Sequence, residues 1–253
     1  HIVYDILRMK VRSALVSGST EVDAAEGIRT SLRLGDSALI IGEVRSSEAT
    51  ALYEAMRIGA LANVVAGTIH GDSPYGVFDR VVNDLKVPPT SFKATDIIII
   101  ANPVRTPDGL HSVKRVMRVT EVRKHWREDP LAEGGFVDLL RYNVETDELE
   151  PTQELMNGDS EILKSIAASV KGWAGNWDAV YDNILLRGMI KQEIVDTAVK
   201  LGKPLLLEAP FNAISSQAFH RISDEMRTIH GLPLSTTVFP AWKQWFSSYL
   251  RSI

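Results

Sequence analysis

Three short apolar runs, "ALII" at residues 38 to 41, "NVVAGT" at 63 to 68 and "DIIIIANPV" at 96 to 104, are separated by two stretches of helical periodicity. Runs this short with no polar alternation suit strands buried on both faces, as in a parallel sheet covered by helices. Between the first two, "SSEATALYEAMRIG" places Ala49, Leu52, Tyr53 and Met56 on one helical face. Ser46 or Ser47 can cap it, Glu48 favours its first turn and Gly59 can close it. Between the second and third, "SPYGVFDRVVNDL" offers Ser73 as N-cap, Pro74 in the first turn, and Val77, Phe78, Val81 and Leu85 on one face. Strand, helix, strand, helix, strand at this spacing predicts a doubly wound α/β layer.

The pattern then changes. Residues 111 to 123 fit a helix through Val113, Val116 and Met117, yet "VMRVTEV" is rich in β-branched residues and favours a strand. A second strand is expected at "GFVDLLRYNV", joined to the first by the loop "EDPLAEGG". After Pro151 come long helical patterns: "SEILKSIAASVKGW", "WDAVYDNILLRGMIKQEIVDTAVKLG", "SSQAFHRISDEMRTIHG" and "PAWKQWFSSYL". The expected organisation is an α/β region over residues 1–150 with an antiparallel extension, then a helical region over 151–253. No internal repeat or low-complexity tract interrupts it.

A chain of 253 residues can bury a sizeable core. Its net charge of −4 gives no overall attraction to nucleic acid or anionic lipid. Cysteine is absent, which excludes disulfides, thiolate metal ligands and a cysteine nucleophile, and fits a reducing cytoplasm. No apolar stretch approaches the length of a membrane span, and the N-terminus lacks a signal-peptide pattern. The opening "HIVYDILRMKVRSALVSGS" reads as the middle of a domain, so a further segment is expected upstream.

Ligands of parallel sheets bind at the carboxyl ends of the strands. Glu43 and His70 stand at two such ends. A glutamate there can hold magnesium through water or polarise an attacking water, and a histidine beside it can contact a phosphate. Taken singly, each has a plainer use: the glutamate as a solvated or capping group, the histidine as a turn residue. The pair carries more weight than either alone. A metal-dependent hydrolase built on Glu43, His70 and Asp72 is a weaker alternative, because no supporting pair such as HExxH is present.

The order "LRLGDSALIIGEVRSSEA", "GTIHGDS", "VFDRVV" resembles the second half of the motor core in the secretion-superfamily ATPases of type II and type IV secretion, pilus assembly and the archaellum, with the archaeal branch most similar. In that family a Leu-Arg pair precedes an atypical Walker B strand ending in Gly-Glu-x-Arg, then Glu-Ala, then a His box with Thr-x-His. Here those positions are Leu32 and Arg33, Gly42, Glu43 and Arg45, Glu48 and Ala49, and Thr68 and His70. The likeness covers residues 27 to 105.

What the resemblance implies is part of a RecA-like ATPase core, using ATP and Mg2+, assembled into a hexameric homo-oligomer. It would lie in the cytoplasm, associated with the membrane through an inner-membrane platform protein, with no requirement for nucleic acid. Glu43 would be the Walker B carboxylate acting on the magnesium ion, and His70 would sit near the γ-phosphate; these two are the implied catalytic residues. Arg33, Arg45, Glu48, Thr68 and, more weakly, Arg80 would surround the nucleotide. One departure stands out: no GxxxxGK[ST] P-loop occurs in the chain, and "LGKP" at 201 to 204 ends a helical pattern instead of beginning one. The acidic box that the family carries before Walker B is not evident either. The P-loop is therefore expected from an upstream segment or another polypeptide. The alternative is a non-catalytic interaction module that keeps a RecA-like shell.

Residues 105 to 127 are rich in Arg and Lys, and 128 to 161 are acidic with Arg141 the lone base. This reads either as a docking face or, preferably, as a solvated strand pair followed by an acidic loop. Trp126, Trp173, Trp177, Trp242 and Trp245 are expected in packing, as is the "PAWKQWFSSYL" helix.

Overall fold

The computed structural model describes residues 8–9, 24–31, 38–46, 48–58 and 64–252. The chain divides into two compact units, His1–Leu155 and Met156–Ile253.

In the first unit, helix α1 (Ala24–Ser31) precedes strand β1 (Ala38–Ile41), helix α2 (Glu48–Ile58), strand β2 (Val64–Gly67) and helix α3 (Pro74–Asp79). β1 and β2 pair in parallel, with Ala38 opposite Val64 and Ile41 opposite Gly67. α3 starts as its sequence dictates: Ser73 Oγ accepts from the Gly76 amide at 3.0 Å, and Pro74 occupies the first turn. The helix then widens into a π-helical turn, Arg80–Asp84. A short α4 (Pro89–Phe92) leads to strand β3 (Ile97–Arg105), followed by β4 (Ser112–Val122), β5 (Phe136–Asn143), β6 (Glu148–Pro151) and the one-turn α5 (Gln153–Met156).

β3 does not extend the parallel pair. It heads a four-stranded antiparallel meander in the order β3-β4-β5-β6, so parallel pairing among the described residues is confined to β1 and β2. Its isoleucine run pairs residue by residue with "VMRVTEV", Ile97 with Glu121 and Ile100 with Arg118. Pro103 is tolerated because β3 is an edge strand.

β1 and β2 are also not buried on both faces. Leu39, Ile41 and Val65 pack inward with Ala49, Leu52 and Tyr53 of α2 and Val77 and Phe78 of α3. The other face is open, with Ile40 69% and Val64 53% exposed. The same core takes in Phe92, Ile98, Ile100, Val122 and Trp126. Phe78 meets Trp126 edge to face at 5.6 Å between ring centres.

The opposite charges of residues 105 to 161 are largely spent within the meander. Arg115 grips Asp147 through two bonds of 2.7 Å, and Arg141 donates to Asp138 at 2.8 Å. Glu133 accepts from the amides of Arg127, Glu128 and Asp129, which ties the "EDPLAEGG" loop into a compact knot.

The second unit is helical: α6 (Glu161–Ala168), α7 (Trp177–Leu201), a 3-10 turn at Pro204–Leu207, α8 (Ala209–His230) and α9 (Ser235–Ser252). Asn176 caps α7 by accepting from the Ala179 amide, and Gly202, at φ +61°, closes it in the left-handed conformation that glycine adopts without strain. "LGKP" is therefore a helix end. Leu186, Ile190, Phe219, Val238, Trp242 and Phe246 form the unit's own core. Among the described residues, no helix is long and apolar enough to cross a membrane.

Candidate functional site

The register of β1 on β2 brings the two strand ends side by side. Val44 N donates to Thr68 O at 2.9 Å, and the Thr68 hydroxyl donates to the Gly42 carbonyl. These two bonds carry the pairing one step past the ladder, and Glu43 and His70 emerge from the fastened ends. His70 Nε2 lies 3.1 Å from Glu43 Oε1. The Arg45 guanidinium bonds the other carboxylate oxygen, Oε2. One carboxylate is thus held between an imidazole and a guanidinium.

The Arg45 hydrogen bond keeps the Glu43 carboxyl below its ordinary range; burial works against this, while Arg45, His70 and Arg80 add electrostatic support for the anion. Arg45 is in turn raised by Glu43. The cationic side chains are open to solvent, His70 at 78% and Arg45 at 71%, whereas Glu43 is only 24% exposed. Exposed ion pairs contribute little to stability. The cluster is therefore not needed to hold the fold, and its outer groups are free to meet a ligand.

Glu48 stands behind this cluster. Its carboxylate accepts from the Arg45 amide at 2.6 Å, the Ser46 amide at 2.9 Å and the Ser46 hydroxyl at 2.6 Å. Burial disfavours its charged form, but these bonds outweigh burial and its pKa is lowered. Glu48 fixes the turn that aims Arg45, so its oxygens serve the loop.

Arg80 sits where α3 passes into the π turn, a kind of insertion that is common at functional sites. Its Nε is buried without a hydrogen-bond partner. A buried, unpaired guanidinium donor close enough to stabilise the Glu43 anion is a place where an anionic ligand would be welcome. Asp72 belongs elsewhere: it accepts from the Ser73 hydroxyl at 3.0 Å. Among the described residues, no three acidic, histidine or cysteine side chains come together as a metal-holding group, so the Glu43, His70, Asp72 triad is not assembled. Arg33 lies outside the described residues.

The structure thus gathers Glu43, Arg45, Thr68 and His70, with Arg80 within electrostatic reach, and sets Glu48 behind them. Sequence reasoning missed the π turn and the burial of the Arg80 Nε. Neither has a local signal, because both follow from how α3 packs.

No protein-family model matches the chain. Over 158 residues it is 29% identical to an uncharacterized protein of Methanocaldococcus jannaschii, an alignment that covers 62% of this chain and 54% of that protein. The chain spans about half the length of this curated relative.

Proposed function

We propose that this chain is the Walker B and His-box part of a secretion-superfamily motor ATPase, with a RecA-like core completed by a P-loop supplied upstream or by another polypeptide. The observation that carries this reading is the 3.1 Å approach of His70 to Glu43 across two parallel strand ends, with Arg45 on the remaining carboxylate oxygen. A phosphate-handling site needs an ionised carboxylate for a magnesium ion, and cations nearby for the phosphate. Both are present, and the unpaired Nε of Arg80 supports a fit to an anion.

Bound MgATP would supply an electrophilic phosphorus and a metal to neutralise charge. Glu43 would hold the magnesium ion and its waters. His70 and Arg45 would exchange their bonds to Glu43 for contacts with phosphate oxygens, and Arg80 would add positive charge. Thr68 and Glu48 would position the two loops. Coupling to a hexameric ring and a membrane platform belongs to the same proposal, as does a cytoplasmic, peripherally attached location. The archaeal source of the relative is in keeping with the archaeal branch.

A second reading is favoured by the open apolar face of β1 and β2: an interaction module that keeps the shell without catalysis. ATP hydrolysis by the chain alone, and by the chain mixed with a separately expressed P-loop half, separates the two. The motor reading expects hydrolysis only in the mixture and its loss with Glu43→Gln. Hydrolysis that is unchanged by Glu43→Gln, or absent from a mixture whose halves are shown to associate, would sink it.

A further inference from the structure

Both carboxylate oxygens of Glu43 are engaged by basic side chains of its own site: Oε1 faces His70 Nε2 at 3.1 Å, and Oε2 accepts from the Arg45 guanidinium. Neither contact is needed to hold the backbone. The turn under Arg45 is fixed by Glu48, which accepts from the Arg45 and Ser46 amides at 2.6 and 2.9 Å. The ends of β1 and β2 are fastened by the bonds that Thr68 makes with Gly42 and Val44. Arg45 and His70 can therefore turn away from Glu43 on backbones that stay in place. Both are open to solvent, whereas the carboxylate is mostly covered, so a ligand arriving from solvent meets the two basic groups first.

A guanidinium binds phosphate in the same fork geometry as carboxylate. Glu43 thus occupies the donors that a phosphate group would need. Arg80 is not occupied in this way: its Nε is buried without a partner, and its charge adds to that of Arg45 at the carboxylate. Two guanidinium charges acting on one carboxylate leave positive charge in excess, which favours a second anion once Arg45 is released.

We propose that Glu43 is a built-in competitor of the site's anionic ligand: in the ligand-free chain it holds Arg45 and His70, and a phosphate group binds by displacing it from both. The inference rests on the phosphate-handling reading above and adds a coupling to it. Whatever draws the carboxylate away strengthens anion binding, and an anion that takes Arg45 and His70 frees the carboxylate for a magnesium ion. The two effects are equal by linkage.

The test is an NMR titration of the whole chain with sodium pyrophosphate, without metal and at constant ionic strength, followed at the Arg45 Nε and the His70 ring. Exposed ion pairs are weak, so Glu43→Gln should tighten binding by roughly threefold to tenfold. Glu43→Ala, which leaves no amide to bond Arg45, should do at least as much. Asp72 is exposed and bonded to Ser73; Asp72→Asn removes a nearby charge without releasing Arg45, and should change the affinity by less than about twofold. In an Arg45→Ala background, read at His70, most of the gain from Glu43→Gln should disappear. Equal affinity in the wild type and both Glu43 variants overturns the proposal, as does a gain matched by Asp72→Asn or undiminished in Arg45→Ala. Absence of binding from every variant overturns it too. The motor reading is tested separately, by hydrolysis in the mixed halves.

Discussion

The two sheets of the first unit are built on opposite terms. The meander β3–β6 has three long strands, sequential pairing and ion pairs that tie its own strands together, as Arg115 of β4 does with Asp147 of the β5–β6 turn and Arg118 of β4 with Asp138 of β5. The pair β1–β2 has four-residue strands, one covered face and one open face. Yet the short, half-covered pair carries the Glu43–His70 cluster. A sheet that spends most of its charges on itself leaves fewer for a ligand. The polar groups at the ends of β1 and β2 are held across the gap by the Val44–Thr68 and Thr68–Gly42 bonds and the His70–Glu43 contact, and keep their cations in solvent. In this unit, strand pairing is most extensive in the meander and the candidate site lies on the strand pair, with a shared core between them.

The comparison breaks most readily at that core. Trp126 follows the meander's second strand, is fully buried and packs on Phe78 of α3. Trp126→Ala should cost about 3–5 kcal/mol, measured by urea unfolding, and should loosen both sheets in one transition. Two separate transitions in the wild type would show that the sheets do not share a cooperative core. The next effect lies on the site side. Ser73→Ala removes the cap that starts α3 and should cost about 1 kcal/mol; because α3 positions Arg80, amide exchange should rise from Gly71 into the π turn but not in β4 or β5. Smaller still is Ile40→Ser on the open face, expected to change stability by less than about 0.5 kcal/mol. A larger loss would mean that the face is covered in solution.

Much of the strand pair was legible because its signals are local. The cap at Ser73, the apolar face of α2 and the strand-end positions of Glu43 and His70 all follow from residues close in sequence. The meander was legible in part: "VMRVTEV" and "GFVDLLRYNV" read as strands from their β-branched content, whereas the partner of β3 did not. Four consecutive isoleucines look the same in a parallel core strand and in an antiparallel edge strand, and the clue was Pro103, which a central strand would not accept. The open face of β1 was illegible for a related reason. Periodicity tells which residues share a face, but not whether another element covers it. Arg80 was the weakest of the candidate arginines by motif, and the burial of its Nε depends on packing that no local pattern encodes.

The finest distinction between the sheets is in their carboxylates. Asp147 is held far below the ordinary carboxylate range by its bidentate bond from Arg115 and a further bond from the Tyr142 hydroxyl. Glu43 is lowered chiefly by one guanidinium, with burial opposing. Each is depressed in the folded state, so each contributes stability that is fully present above its unfolded pKa and is lost as pH falls through its folded pKa. Both are solvent-accessible, and the contributions are correspondingly small. A carboxyl NMR titration should therefore find Glu43 protonating first as the pH drops, with Asp147 still ionised. Arg45→Ala should return Glu43 toward the ordinary glutamate value and leave Asp147 unmoved. Arg115→Lys should raise Asp147, because an ammonium cannot make the paired bonds of a guanidinium. If Glu43 stayed depressed in Arg45→Ala, His70 and Arg80 would be the stronger holders of the charge, and the cluster would be organised around α3 instead of around the loop that follows β1.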